Sequence, residues 1–128
     1  MIAADTSALV AVVLGEPDAE RFLATLQSDV VSVSALSLTE ASIVAEARQG
    51  PDAARDLELL TAAVVDRVVA VDEAHARAAV GAWRRFGKGR HPAGLNFGDC
   101  FAYATASLAN LPLLFKGDDF RQTDLRAA

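Results

Sequence analysis

Apolar residues fall along this chain in two rhythms. Four short runs are apolar almost throughout: residues 1–4 (MIAA), 30–33 (VVSV), 68–71 (VVAV) and 112–115 (PLLF). Runs of this length, without polar alternation, predict strands buried on both faces. Between them the apolar positions recur at helical spacing. Residues 17–27 open with Pro17 and Asp18 and place Phe22, Leu23 and Leu26 on one side, which predicts a helix. The pattern over 36–48 runs into Gly50 and Pro51, which stop that helix and start another over 52–65. Two more helices fit 73–86 and 98–109. Short buried strands separated by one or two helices predict an α/β fold, with a central parallel β-sheet of four or five short strands flanked by helices on both faces.

Length and composition narrow the picture. The chain has 128 residues, 52% of them hydrophobic, which suits one domain over 1–128 with a substantial core. Repeats and linker-like stretches are absent. No apolar run approaches the roughly 20 residues that span a bilayer, and the first residues lack the basic and apolar regions of a signal peptide. A cytoplasmic location without membrane association is therefore expected. The one cysteine, Cys100, has no thiol partner and reads as core filler. A net charge of -5 argues against a constitutive nucleic-acid binder. If four of the 17 acids are gathered in one site, the other 13 nearly balance the 12 Lys and Arg residues, so the acidity can be local.

In a parallel sheet, ligands bind beyond the carboxyl ends of the strands, where strand order reverses. Asp5 follows the first strand directly, and Asp118 and Asp119 follow the last in LLFKGDD. Glu40, early in the helix after the second strand, and Asp99, opening the helix GDCFAYATA, can reach the same rim from apolar surroundings. Each acid alone has an ordinary explanation: helix cap for Asp5 and Asp99, ion pairing with Arg48 or Lys116 for Glu40, turn residue for Asp118 or Asp119. Four carboxylates on one rim would repel one another and call for a cation. The donors on offer are oxygens, because His75 and His91 are the only histidines and lie apart in sequence. Oxygen donors suit Mg2+, or Mn2+ as a substitute. Such ions lower the pKa of a bound water and stabilise charge on phosphorus, which points to hydrolysis of a phosphodiester.

Four segments taken in order, DTSAL, SxLSLTEA, NFGDCFAYATA and PLLFKGDDF, resemble the PIN-domain ribonucleases, and more narrowly the VapC toxins of type II toxin–antitoxin pairs. The resemblance covers nearly the whole chain. It implies a PIN-like fold and a Mg2+-dependent endoribonuclease, neutralised by a VapB-type antitoxin and forming a homodimer. Residue by residue, Asp5 and Asp99 match the principal metal-binding acids, Glu40 the glutamate between them, and Thr6 or Ser7 the supporting hydroxyl. Asp118 and Asp119 are both eligible as the fourth acid, and Asp118 is preferred because it lies nearer the strand end. The basic stretch WRRFGKGRH is the candidate RNA contact, through Arg84, Arg85, Lys88 and Arg90. Trp83 and Phe86 are expected in the core. Leu9, Val12, Val13 and Leu14 form an apolar excess expected to meet the antitoxin.

A phosphoacceptor signalling module similar to a response-regulator receiver is the rival reading. It shares the parallel sheet, the acid after the first strand and Mg2+, with Asp72 as phosphoacceptor and Lys116 after the last strand. A receiver, however, has paired acids where this chain has Asp5 followed by Thr6, and it gives Asp99 no role.

Overall fold

The computed structural model describes all residues, 1–128. Its elements are β1 (Ile2–Ala4), α1 (Thr6–Val13), α2 (Ala19–Ser28), β2 (Val31–Ser34), α3 (Ala35–Gln49), α4 (Pro51–Val64), β3 (Arg67–Val69), α5 (Glu73–Phe86), α6 (Phe97–Ala109), β4 (Leu113–Leu114) and a 3-10 turn, Phe120–Gln122. The four strands form one sheet in the order β3-β2-β1-β4. Every pairing is parallel, with Ile2 opposite Val31 and Ala4 opposite Leu114. The chain leaves β1 toward β2 on one side and returns to β4 on the other. The reversal of strand order therefore lies between β1 and β4, and Asp5 and Lys116 follow their carboxyl ends.

Side-chain alternation along these short strands divides the interior into two cores. Ile2, Ala4 and Leu114 face one way, packing with Leu9, Phe22, Leu26, Val31, Val33 and Leu57 beneath α1 to α4. Ala3, Leu113 and Phe115 face the other way, against Phe86, Leu95, Tyr103 and Phe120 beneath α5 and α6. Helices on both faces and a four-stranded parallel sheet are the architecture the apolar runs predicted. A single parallel bridge between Leu113 and Ala127 is all there is of a fifth strand.

Several expectations are corrected. The run 68–71 is a strand only over Arg67–Val69, and it is the sheet edge, with Val68 53% exposed. Pro17 stands outside its helix, which Asp18 precedes and Ala19 begins. The apolar excess after Asp5 is α1 itself: Leu9 is wholly buried, and Val12, Val13 and Leu14 are half-buried against the first core. The protein's own interior takes up Leu9 and part of the other three side chains. Trp83 is exposed and stacks with the Arg90 guanidinium, 4.6 Å from its ring centroid, whereas Phe86 and Cys100 are buried as expected. No helix is long and apolar enough to cross a membrane.

Candidate active site

Asp5, Thr6, Ser7, Glu40 and Asp99 line one open pocket at the carboxyl end of β1, together with Glu16, Arg48, Asn96 and Lys116. Asp5 is the N-cap of α1 and is 4% exposed. Its Oδ2 accepts the Ser7 N–H at 3.0 Å and the Ser7 hydroxyl at 2.6 Å. The ordinary explanation of Asp5 as a cap is correct, and the cap is what aims the carboxylate. Burial holds its pKa above the ordinary carboxylate range, against the two Ser7 bonds that favour the charge, and Glu40 adds repulsion.

Asp99 is positioned by a reciprocal cap on α6. Its backbone N–H donates to Asn96 Oδ1 at 2.9 Å, and its own Oδ2 accepts the Asn96 N–H at 3.0 Å. Only that oxygen is engaged. Desolvation, followed by repulsion from Asp5, Asp119 and Glu40, pushes Asp99 up to about 7. Its other oxygen accepts no hydrogen bond, and the charged form is costly in this pocket.

Glu40 arrives from the second turn of α3, which Ser34 caps. Its Oε1 accepts the Thr6 hydroxyl at 2.7 Å, and Thr6 also donates to the Ser37 carbonyl at 3.1 Å. It does not pair with Arg48 or Lys116, both of which turn to Glu16. Glu40 also lies hard against the buried Gly98: a Cβ there would stand 2.5 Å from Oε2 and 2.8 Å from Oε1. Gly98, Glu16 and Asn96 were not anticipated. The N-x-x-D spacing of Asn96 and Asp99 is a legible capping signal, but Gly98 and Glu16 acquire meaning only from the contact of α3 with α6 and the closure of β4 beside β1.

Neither candidate for the fourth acid lines the pocket, and both are exposed. The Asp118 side chain is 92% exposed and lies 3.9 Å from Arg121. Asp119 makes no capping bond in the following turn, and of the two it is the one near enough to add to the repulsion on Asp99. No three of the acids, histidines and the cysteine stand close enough together to hold a metal ion as a group. The expected four-carboxylate cluster is not formed: Asp5, Glu40 and Asp99 share an open, polar pocket instead. That still fits Mg2+, which keeps several waters and takes only one or two carboxylates from the protein.

The basic stretch splits. Arg85 turns to the C-terminal segment, donating to Tyr103 Oη at 3.3 Å and pairing with Asp124 at 3.4 Å. Arg90 stacks on Trp83 and donates to the Arg84 carbonyl at 3.3 Å. Lys88 lines an apolar groove with Trp83, Phe97 and Asn96, and Asn96 is shared with the acid pocket. The receiver reading loses its phosphoacceptor. Asp72 caps α5, accepts the His75 N–H at 3.0 Å, pairs with the His75 ring at 2.7 Å, and follows the edge strand.

The Asp99 pKa has a stability consequence. Between about 4 and 7 the folded protein keeps a proton that the unfolded chain has lost, so raising pH through that window lowers stability. Without metal, the melting temperature should fall by about 5 °C between pH 5.5 and pH 8. Asp99→Asn should flatten that slope. Thermal unfolding in EDTA across this range checks both, and equal slopes would contradict the shift.

Comparisons with known proteins identify the family. The PIN domain family model matches residues 2–125. The chain is 52% identical over 123 residues to ribonuclease VapC30 of Mycobacterium tuberculosis, covering 94% of this chain and 93% of that one. It is 50% identical over 124 residues to a ribonuclease VapC of Mycolicibacterium smegmatis, covering 96% of each. Among solved structures, M. tuberculosis VapC20, described as a toxin that cleaves the sarcin–ricin loop, superposes with a TM-score of 0.80 at 22% identity over 100% of this chain and 98% of that one. A toxin–antitoxin complex from Klebsiella pneumoniae gives 0.74 at 17% identity over 97% and 93%. The chain belongs to the PIN-domain family, among its VapC-type ribonuclease toxins.

Proposed function

We propose that this protein is a Mg2+-dependent endoribonuclease, the toxin of a VapBC-type pair, which hydrolyses RNA phosphodiesters at the pocket of Asp5, Glu40 and Asp99. The observation that carries the reading is Asp99: it is fixed through one oxygen, free at the other and held up to about 7 by burial and its acidic neighbours. Asp5 and Asp99 would hold the ion, with Asp119 as the fourth acid in place of Asp118. When bound, Mg2+ lowers the pKa of a coordinated water and offsets charge building on phosphorus; Mn2+ can replace it. The chain's own residues do the positioning. Ser7 fixes the Asp5 carboxylate, the Asn96 cap fixes Asp99, and Thr6 holds Glu40 where it can orient water and accept its proton.

RNA would reach the pocket past Lys88 and Trp83, with Arg84 and Arg90 of the same basic stretch beside them and Arg85 contributing least because Asp124 holds it. A cognate VapB-type antitoxin would silence the enzyme by placing a cation among the acids. Exposed Ile43, Val71 and Phe97 beside Glu40 and Gly98 make an apolar surface that a second copy would cover, in keeping with a homodimer. The test is cleavage of a mixed-sequence single-stranded RNA. EDTA should abolish it and added Mg2+ or Mn2+ should restore it. Full activity in chelator would refute the assignment.

A further inference from the structure

The pocket contains more charge than a metal site needs. Beside Asp5, Glu40 and Asp99 it is lined by one further acid, Glu16, and two cations, Arg48 and Lys116. Both cations converge on Glu16. Lys116 Nζ is ion-paired with its Oε2 and lies 3.9 Å from Asp18, and Arg48 Nη1 lies 3.9 Å from its Oε1. Lys116 is anchored to the catalytic acids through its backbone: its N–H donates to Ser7 Oγ at 2.9 Å, and that hydroxyl donates to Asp5 at 2.6 Å. Arg48 lies two turns beyond Glu40 on α3, and Val44 between them also lines the pocket.

These pairs are poorly explained as fold supports. The Lys116 side chain is 35% exposed and that of Arg48 61%, and half-exposed ion pairs add little stability. Their charges do matter to a polyanion. Four acids and two cations leave the pocket with a formal charge that one divalent ion would only neutralise. An entering phosphodiester then needs positive groups that are not already committed, and Glu16 commits both.

We propose that Arg48 and Lys116 grip RNA phosphate at the mouth of the acid pocket and that Glu16 holds them in reserve, competing with RNA for both side chains. This rests on the ribonuclease reading and adds a substrate-binding subsite to it. Arg48 and Lys116 are positioning residues. Glu16 sets how readily they are released, so the free enzyme keeps its cations ordered and its grip on RNA modest.

The sign of one substitution separates this from a structural role. Removing the Glu16 charge breaks two ion pairs, which a scaffold would register as weaker or unchanged binding. The proposal requires the opposite. With the full chain, Ca2+ in place of Mg2+ and a fluorescein-labelled mixed-sequence single-stranded RNA checked for intactness, Glu16→Gln should lower Kd by about threefold or more. Lys116→Gln and Arg48→Gln should each raise Kd by about threefold to tenfold and flatten the salt dependence by roughly 0.7 per lost contact, and Lys116→Arg should restore both. In Mg2+ the same glutamine variants should raise KM more than they lower kcat. Overturning results are a Glu16→Gln protein that binds no tighter than wild type, or Lys116→Gln and Arg48→Gln proteins that keep the wild-type salt slope. If Glu16→Gln fails to fold, Glu16→Asp, which keeps the charge but draws it back from both cations, takes its place: it should also lower Kd, and an unchanged or raised Kd overturns the reserve. A wild type that binds RNA yet never cleaves it in Mg2+ would count against the nuclease assignment and leave the grip standing.

Discussion

Asp99→Asn should cut RNA cleavage by about 10²–10³-fold while leaving the protein folded. The substitution keeps the side chain's shape and its Oδ acceptor for the Asn96 N–H, so the reciprocal cap of α6 survives. It removes the charge whose cost in the metal-free pocket comes from desolvation and from Asp5, Asp119 and Glu40. The metal-free variant should therefore be no less stable than wild type near pH 7.5, and stability should rise less on addition of millimolar Mg2+, since binding to the native state is what raises it. Single-turnover cleavage and thermal unfolding, each with and without Mg2+, read both effects. Near-wild-type cleavage would mean that the cation site lies elsewhere.

Gly98→Ala should separate activity from stability most sharply. The added Cβ would fall 2.5 Å from Glu40 Oε2. Glu40 is the movable partner because its carboxylate is the end of a flexible side chain, so the fold should lose no more than about 1–2 kcal/mol. The site loses more. Moving Glu40 off Gly98 disturbs the 2.7 Å bond it accepts from Thr6, and a displacement of about 1 Å in a catalytic arrangement can cost on the order of 10²-fold. The expected result is a folded protein with kcat reduced about 10- to 100-fold and nearly unchanged RNA binding. Unimpaired kcat would show that the position of Glu40 does not matter to the reaction.

The strands carrying the site could be read from the chain because their sides face two cores. MIAA and PLLF have no polar face to conceal, and the acids stand directly after them. Asp5 and Asp99 were legible for the same reason: a carboxylate closing an apolar run is conspicuous, and each also obeys a local capping rule. What depends on tertiary closeness was not legible. Local order favours Asp118, but Asp118 extends toward Arg121, and which of the two exposed acids stands nearer Asp99 depends on how the chain turns after β4. Glu16 reads as an ordinary loop acid until β4 brings Lys116 beside it, 100 residues away in sequence. The apolar excess of α1 could not be apportioned from sequence, because periodicity does not distinguish side chains buried by their own chain from those left for a partner.

The ribonuclease assignment claims that water, and not the RNA's own 2′-hydroxyl, attacks phosphorus at this pocket. Mass spectrometry of fragments formed by the wild-type protein with Mg2+ in oxygen-18 water tests that claim most directly. Attack by water places one solvent oxygen on each cleaved phosphate and leaves linear phosphomonoester ends. Fragments ending in unlabelled 2′,3′-cyclic phosphate would show that the 2′-hydroxyl is the nucleophile and would contradict the roles given to Asp5, Glu40 and Asp99.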